Sequence, residues 1–294
     1  VFDPFKSDST AAQNKAEWIG TLTALFIDPA GFIREDGDQD GVLDNYDTDK
    51  VIRIFFDSDD RRSKFRRLSS SDPDIFKDPT PSGPLELSEL ENIWNARNRL
   101  ADLDMDTVEN QRAYDTVFSS SPNAGRHILT WMDTGPSGIA DDLVAADGSE
   151  LVSFDASTLS TANRWRWLDE GDLATAQNLI RWVRGKEISG MRNRIVDYAG
   201  DNGTGVAQTA SGEPEVMRLG DIASSSPISL AAPIEGFDRI AQDMSYREFV
   251  FHYRNRRQVV YVGANDGMIH AFNAGFFDSE TKKFRLKDSS EVAH

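Results

Sequence analysis

Val260-Tyr261-Val262-Gly263-Ala264-Asn265-Asp266-Gly267-Met268-Ile269-His270-Ala271-Phe272 is the stretch that decides the fold. Val259 to Val262 is β-branched and aromatic, and Met268 to Phe272 alternates. Between them Asp266-Gly267 reads as a two-residue hairpin turn, with Gly taking the positive φ such turns require. The spacing predicts two antiparallel strands. Upstream, Ile228-Ser229-Leu230 and Phe249-Val250-Phe251 read as further short strands, and Arg218 to Pro227 as a strand edge followed by a Ser-rich turn. From Met217 on the texture is antiparallel β, and residues 257–294 have the length of one unit of a repeat array.

Before about residue 215 the periodicity is mixed. Trp18, Leu22, Leu25 and Phe26 predict a helix over 11–27, stopped by Pro29 and Gly31. Leu90, Ile93 and Trp94, with Ser88 and Glu91 as a capping box, predict a second over 88–101. Asp172 as cap, Leu173, Ala176, Ile180 and Val183 on one face, and Gly185 as stop predict a third over 172–184. Strands are expected at Val51–Phe56, His127–Met132 and Leu151–Phe154. The expected division is an α+β domain over 1–215 and an antiparallel β segment over 216–294.

The chain of 294 residues carries 32 Lys+Arg against 49 Asp+Glu, a net charge of −17. A polyanion binder needs a basic face to neutralise phosphates, so this charge argues against nucleic acid as partner. With no cysteine, thiolate metal sites, Fe–S clusters and a disulfide scaffold are excluded. No run of about 18 apolar residues occurs, so no transmembrane helix is expected. The start at Val1, without initiator Met or signal peptide, reads as a piece of a longer polypeptide.

The clearest chemical signal is residues 36–47, D-x-D-x-D-G-x-x-D-x-x-D. Asp36, Asp38, Asp40, Asp44 and Asp47 fall at positions 1, 3, 5, 9 and 12 of an EF-hand-like loop. Gly41 stands at position 6, where the chain turns sharply; Val42 at position 7 offers a backbone carbonyl, and Leu43 at position 8 an inward anchor. Five carboxylates this close repel one another until a hard, oxygen-seeking ion joins them, which is Ca²⁺ chemistry. Position 12 is Asp rather than Glu, which resembles dockerin and thrombospondin type-3 loops. A strand follows instead of a helix. Asp102, Asp104 and Asp106 repeat the 1-3-5 spacing, but Thr107 stands where Gly belongs, so a solvated acidic turn is the preferred reading there.

Other constellations carry little. His127, His252, His270 and His294 form no HExxH or HxxxH pattern; His127 and His270 read as satisfied, half-buried strand residues. Gly-x-Ser-x-Gly, a P-loop and G-x-G-x-x-G are absent. The basic strip Arg61, Arg62, Lys64, Arg66 and Arg67 is opposite in sign to the rest of the chain; a solvated strand face is the preferred reading, with pairing to the acidic loop region or to an acidic partner as the alternative. Arg164 to Trp167 with Arg181-Trp182 read as Arg–aromatic packing.

Arg218-Leu219-Gly220-Asp221-Ile222-Ala223-Ser224-Ser225-Ser226-Pro227 together with Val260 to Phe272 resembles the entry to the β-propeller of the PilC/PilY family of type IV pilus assembly and tip-adhesin proteins. Trp18-Ile19-Gly20, Leu25 to Asp28, Ile93 to Ala96, and Ile180 to Gly185 followed by Arg192-Asn193-Arg194 are similar to its pre-propeller region. The resemblance implies a quinoprotein-like propeller begun here but incomplete. It further implies a non-enzymatic protein of the outer cell surface, reached through the periplasm, acting in pilus assembly or adhesion at the pilus tip. Implied partners are minor pilins or the tip complex, and host or abiotic surfaces. The family's propeller calcium loop is missing, so the loop at 36–47 is a separate one. Two alternatives belong to other classes: a quinoprotein-like dehydrogenase fragment, for which one blade is too little to encircle a cofactor, and a pure propeller scaffold. An isolated hairpin at 257–272 leaves both edges unpaired, so completion is expected from the rest of the polypeptide, from the N-terminal domain, or from another chain through strand addition.

Overall fold

The computed structural model describes residues 21–68, 82–111, 125–132, 151–195, 212, 214–222, 224–278 and 283–285. In chain order the strands are β1 (Thr23–Ala24), β2 (Phe26–Ile27), β3 (Ile33–Arg34), β4 (Val51–Asp57), β5 (Arg62–Leu68), β6 (Ser82–Glu86), β7 (Trp94–Asn95), β8 (Leu129–Trp131), β9 (Leu151–Ser153), β10 (Ile228–Leu230), β11 (Gln258–Gly263), β12 (Ile269–Asp278) and β13 (Lys283–Arg285). The helices are α1 (Ala96–Ala101), α2 (Ala156–Ser160), α3 (Leu173–Arg184), α4 (Phe237–Ile240) and α5 (Met244–Tyr253). Two compact units emerge: residues 1–97 with 219–294, and residues 98–218. The sequence texture changes just before the chain re-enters the first unit.

The first unit holds a five-stranded antiparallel sheet in the order β2-β3-β4-β5-β6. Its centre is the β4–β5 hairpin, paired without interruption from Val51↔Leu68 to Asp57↔Arg62. Val51 and Leu68 on one face and Ile52 and Phe65 on the other are buried. At the turn Asp57 Oδ1 accepts the N–H groups of Asp59 and Asp60 at 3.0 and 3.3 Å. By contrast β3 meets β4 through the single pair Arg34↔Val51. The long loop between them must therefore supply its own organisation.

The same unit carries a four-stranded antiparallel sheet, β10-β11-β12-β13. The expected hairpin is present, but its turn is one residue longer than expected. Ala264 N–H donates to Met268 O at 3.0 Å, leaving Asn265, Asp266 and Gly267 as a three-residue loop. Gly267 takes φ 80°, the left-handed position that closes such loops. Of the expected routes for completing the hairpin, the chain's own strands take it: β10 covers one side of β11 and β13 one side of β12. Among the described residues, the outer edges of β10 and β13 have no strand partner. Asp266 ties the turn to the Arg218–Pro227 motif, accepting Gly220 N–H at 3.1 Å and hydrogen-bonding His270 Nε2 at 2.8 Å. Gly220 is required there, since a Cβ would lie 2.7 Å from Asp266 N. Together these elements make helices and several antiparallel sheets; the described residues form no closed ring of sheets.

The second unit is built on α3. Asp172 caps it by accepting Thr175 N–H at 2.9 Å, and Gly185 ends it at φ 118°. Ile180 packs with Met132 and Leu159, backed by Val152, Phe154, Ala156 and Leu168. Arg184, at the end of the helix, is fully buried and donates five hydrogen bonds, to the carbonyls of Glu109, Asn110, Arg126 and Phe154 and to Gln111 Oε1, at 2.6 to 2.9 Å. Arg218 donates to the carbonyls of Leu100, Ala101 and Gly185. Burial lowers both guanidinium pKa values to about 10, which leaves them charged at neutral pH.

Three other expectations need correction. The helix expected over 11–27 is strand at Thr23–Ala24 and Phe26–Ile27; its part before Thr21 lies outside the described residues. The helix expected over 88–101 starts only at Ala96: Leu87–Glu89 is a 3₁₀ turn boxed by Glu86 and Glu89, and Trp94 pairs with Ala24 in a ladder. Phe249-Val250-Phe251 lies inside helix α5, whose Asp243 cap accepts the N–H groups of Ser245 and Tyr246.

Candidate metal centre

The acidic loop leaves the sheet at Arg34 and returns at Val51. The strand that follows it, β4, is as the sequence predicts; the strand that precedes it, β3, is not anticipated there. Asp36, Asp38 and Asp40 each bring a carboxylate oxygen within 4.8 Å of the others. The alternation that makes this possible is locked by the main chain. Gly41 adopts φ 73° and donates its N–H to Asp36 Oδ2 at 3.1 Å, and Val42 N–H donates to Asp40 Oδ1 at 2.7 Å. Leu43 is buried as the inward anchor. Asp44 and Asp47 are exposed and stand outside the trio; Val42 is half-buried.

Asp36 is the distinctive member. It is 2% exposed, and its Oδ1 is buried with no hydrogen-bond partner. A buried carboxylate oxygen in that state carries a desolvation cost that a cation removes. Burial raises the Asp36 pKa above the usual carboxylate range. The Gly41 N–H opposes the shift, and the charges of Asp49, Asp40 and Asp38 add to it. An all-oxygen donor set with one orphaned buried oxygen fits a hard divalent ion. Asp221 Oδ1 is also buried without a partner, but among the described residues no comparable trio includes it.

The surrounding shell is the part sequence reasoning missed. Asp49, fully buried, accepts Gly37 N–H at 3.0 Å and Asp44 N–H at 2.5 Å. Arg34 is buried beneath the loop. Its Nε donates to Asp49 O at 2.8 Å, and its Nη2 to Asp44 O and Asn45 O at 2.7 Å, while its guanidinium lies 4.3 Å from the centre of the Tyr46 ring. Glu35, fully buried, takes Arg67 in a two-pronged pair at 2.6 and 3.1 Å and also accepts Glu91 N–H. Arg67 and the buried Lys64 therefore leave the solvated face expected of the basic strip. Lys64 pairs with Asp57 at 3.1 Å and with Asp60. The one signal that pointed here was the opposite sign of that strip.

The remaining sequence candidates resolve locally. Asp104 Oδ1 accepts the N–H groups of Asp106 and Thr107 at 2.8 and 3.1 Å, an acidic turn. His270 is buried against Asp266, whereas His127 is exposed beside Gln111, contrary to the half-buried expectation. Trp182 lies beneath Arg194 at 4.2 Å, while Trp167 faces solvent.

A segment of 59 residues is 44% identical to a protein of Xylella fastidiosa (strain Temecula1 / ATCC 700964) described as a type IV pilus biogenesis factor PilY1 homolog. That segment is 19% of this chain and 5% of the relative, so the likeness spans a small part of either protein. No family model matches the chain, and no solved structure matches it. Among the described residues no helix is long and apolar enough to cross a membrane.

Proposed function

We propose that this chain is part of a calcium-stabilised, non-enzymatic surface protein of the type IV pilus system, acting in pilus assembly, in adhesion at the pilus tip, or in both. The observation that carries the reading is the 44% identity to a pilus biogenesis factor homolog over 59 residues. The sheet β10-β11-β12-β13 supports it as a first propeller blade, since propeller blades are four-stranded antiparallel sheets. In this reading residues 1–215 act as a calcium-bearing domain and 216–294 as the start of the propeller. The partners are minor pilins or the tip complex, with host or abiotic surfaces as targets of adhesion. Other chains can add at the outer edges of β10 and β13. The location is the outer cell surface, by way of the periplasm.

Calcium is held by Asp36, Asp38 and Asp40, with Val42 O, Asp44 and Asp47 completing the shell. The ion's part is structural: it removes the repulsion among the carboxylates and fixes the loop that joins β3 to β4. Deletion of residues 219–285 in the organism that makes the protein tests the functional reading. Loss of surface pili and of pilus-dependent motility is expected. Unchanged pilus number, motility and surface attachment overturn it.

A further inference from the structure

We infer that Asp49, two residues beyond the twelve-residue motif, is the positioning residue that holds the calcium loop in its ligating shape before the ion arrives. This rests on the calcium reading above. Asp49 is fully buried and uses one carboxylate oxygen on Gly37 N–H and the other on Asp44 N–H. Those two amides follow motif position 1 and belong to position 9, so one side chain clasps both limbs of the loop. Its own carbonyl receives Arg34 Nε, and the same guanidinium binds Asp44 O and Asn45 O. The limbs are drawn so close that a Cβ on Gly37 would lie 2.1 Å from Thr48 O. Only glycine fits at that approach.

The clasp also brings the Asp49 carboxylate onto the backbone of the loop without making it a member of the trio. The trio has its own unsatisfied atom: Asp36 Oδ1 is buried and unpartnered. Loss of a residue that orients metal ligands in this way typically costs about 10- to 100-fold in affinity.

The test uses the whole chain, stripped with chelator and titrated with Ca²⁺ by calorimetry. Asp49→Asn is expected to raise Kd by about 10-fold or more. Asp104→Asn, which removes the same charge from the acidic turn of the second unit, is expected to leave Kd within about twofold, because Asp104 is solvent-exposed and serves its own turn. Amide exchange of the unaltered protein in chelator gives a second reading: Gly37 and Asp44 should exchange more slowly than Asp38 and Asp40. If the unaltered chain takes up no calcium, the calcium reading fails and this inference with it. If it does, and Asp49→Asn melts lower with an unchanged Kd, Asp49 is merely structural and the inference alone is overturned. Should Asp49→Asn not fold, exchange decides: fast Gly37 and Asp44 amides in the absence of calcium contradict preorganisation.

Discussion

Arg184 in the second unit and Asp36 in the first are both charged and both almost wholly buried, yet they solve burial in opposite ways. Arg184 meets five acceptors of its own chain. Asp36 meets one donor at Oδ2 and none at Oδ1, with Asp38, Asp40 and Asp49 close enough to raise its pKa. A buried charge whose partners are complete is part of the scaffold. One left incomplete among like charges is a request for a counter-ion. The contrast separates structural from ligand-binding charge without any appeal to motif.

The largest expected effect breaks the complete centre. Arg184→Met removes the donor from four carbonyls, while Gln111 Oε1 keeps the Ile128 N–H; it should destabilise the second unit by about 3–5 kcal/mol in urea denaturation, since a buried polar group left unpaired costs about 1–3 kcal/mol. Calcium binding by the loop should persist wherever the first unit remains folded. A loss below about 1 kcal/mol would mean that the five bonds are dispensable.

Next is the incomplete centre. Calcium at 100 times its Kd should stabilise the first unit by about 2.7 kcal/mol, read as a higher melting temperature than in chelator. Equal melting temperatures would erase the contrast with Arg184.

The contrast sharpens with pH. Asp36 has a raised folded pKa, so its contribution to metal-free stability is present at acid pH and is lost as pH rises through that folded value. Calcium needs the ionised form, so the gap between melting temperatures with calcium and with chelator should widen from acid to neutral pH. Asp36→Asn should abolish the gap and, in chelator at pH 7, stabilise by about 1 kcal/mol through removal of an uncompensated buried charge. A variant that is less stable in chelator contradicts the electrostatic account.

The smallest effect lies outside both centres. Gly267→Ala forces a side chain into φ 80° with open space around it, and should cost about 1 kcal/mol of backbone strain.

What the sequence reveals follows the range over which each interaction acts. Helix α3 is legible because Asp172, the 3.6-residue period and Gly185 all lie within one turn of what they control. The trio Asp36, Asp38 and Asp40 is legible for the same reason, with Gly41 next door. Asp49 is not, because its partners lie 12 and 5 residues back and no motif reaches it. Trp94 sits at helical spacing from Leu90, yet pairing with Ala24, far along the chain, makes it strand. Phe249 to Phe251 looks like a strand run, and only the Asp243 cap, a local signal left unread, marks helix α5. The burial of Arg184 is not legible, because nothing near it in sequence announces the carbonyls of Glu109 and Phe154.

The most direct measurement is a calorimetric titration of the chelator-stripped chain with Ca²⁺, run beside Asp36→Asn. The account predicts one ion bound with a Kd between about 1 µM and 1 mM, and no binding by the variant. Absence of binding by the unaltered chain across that range, or equal binding by both proteins, contradicts it.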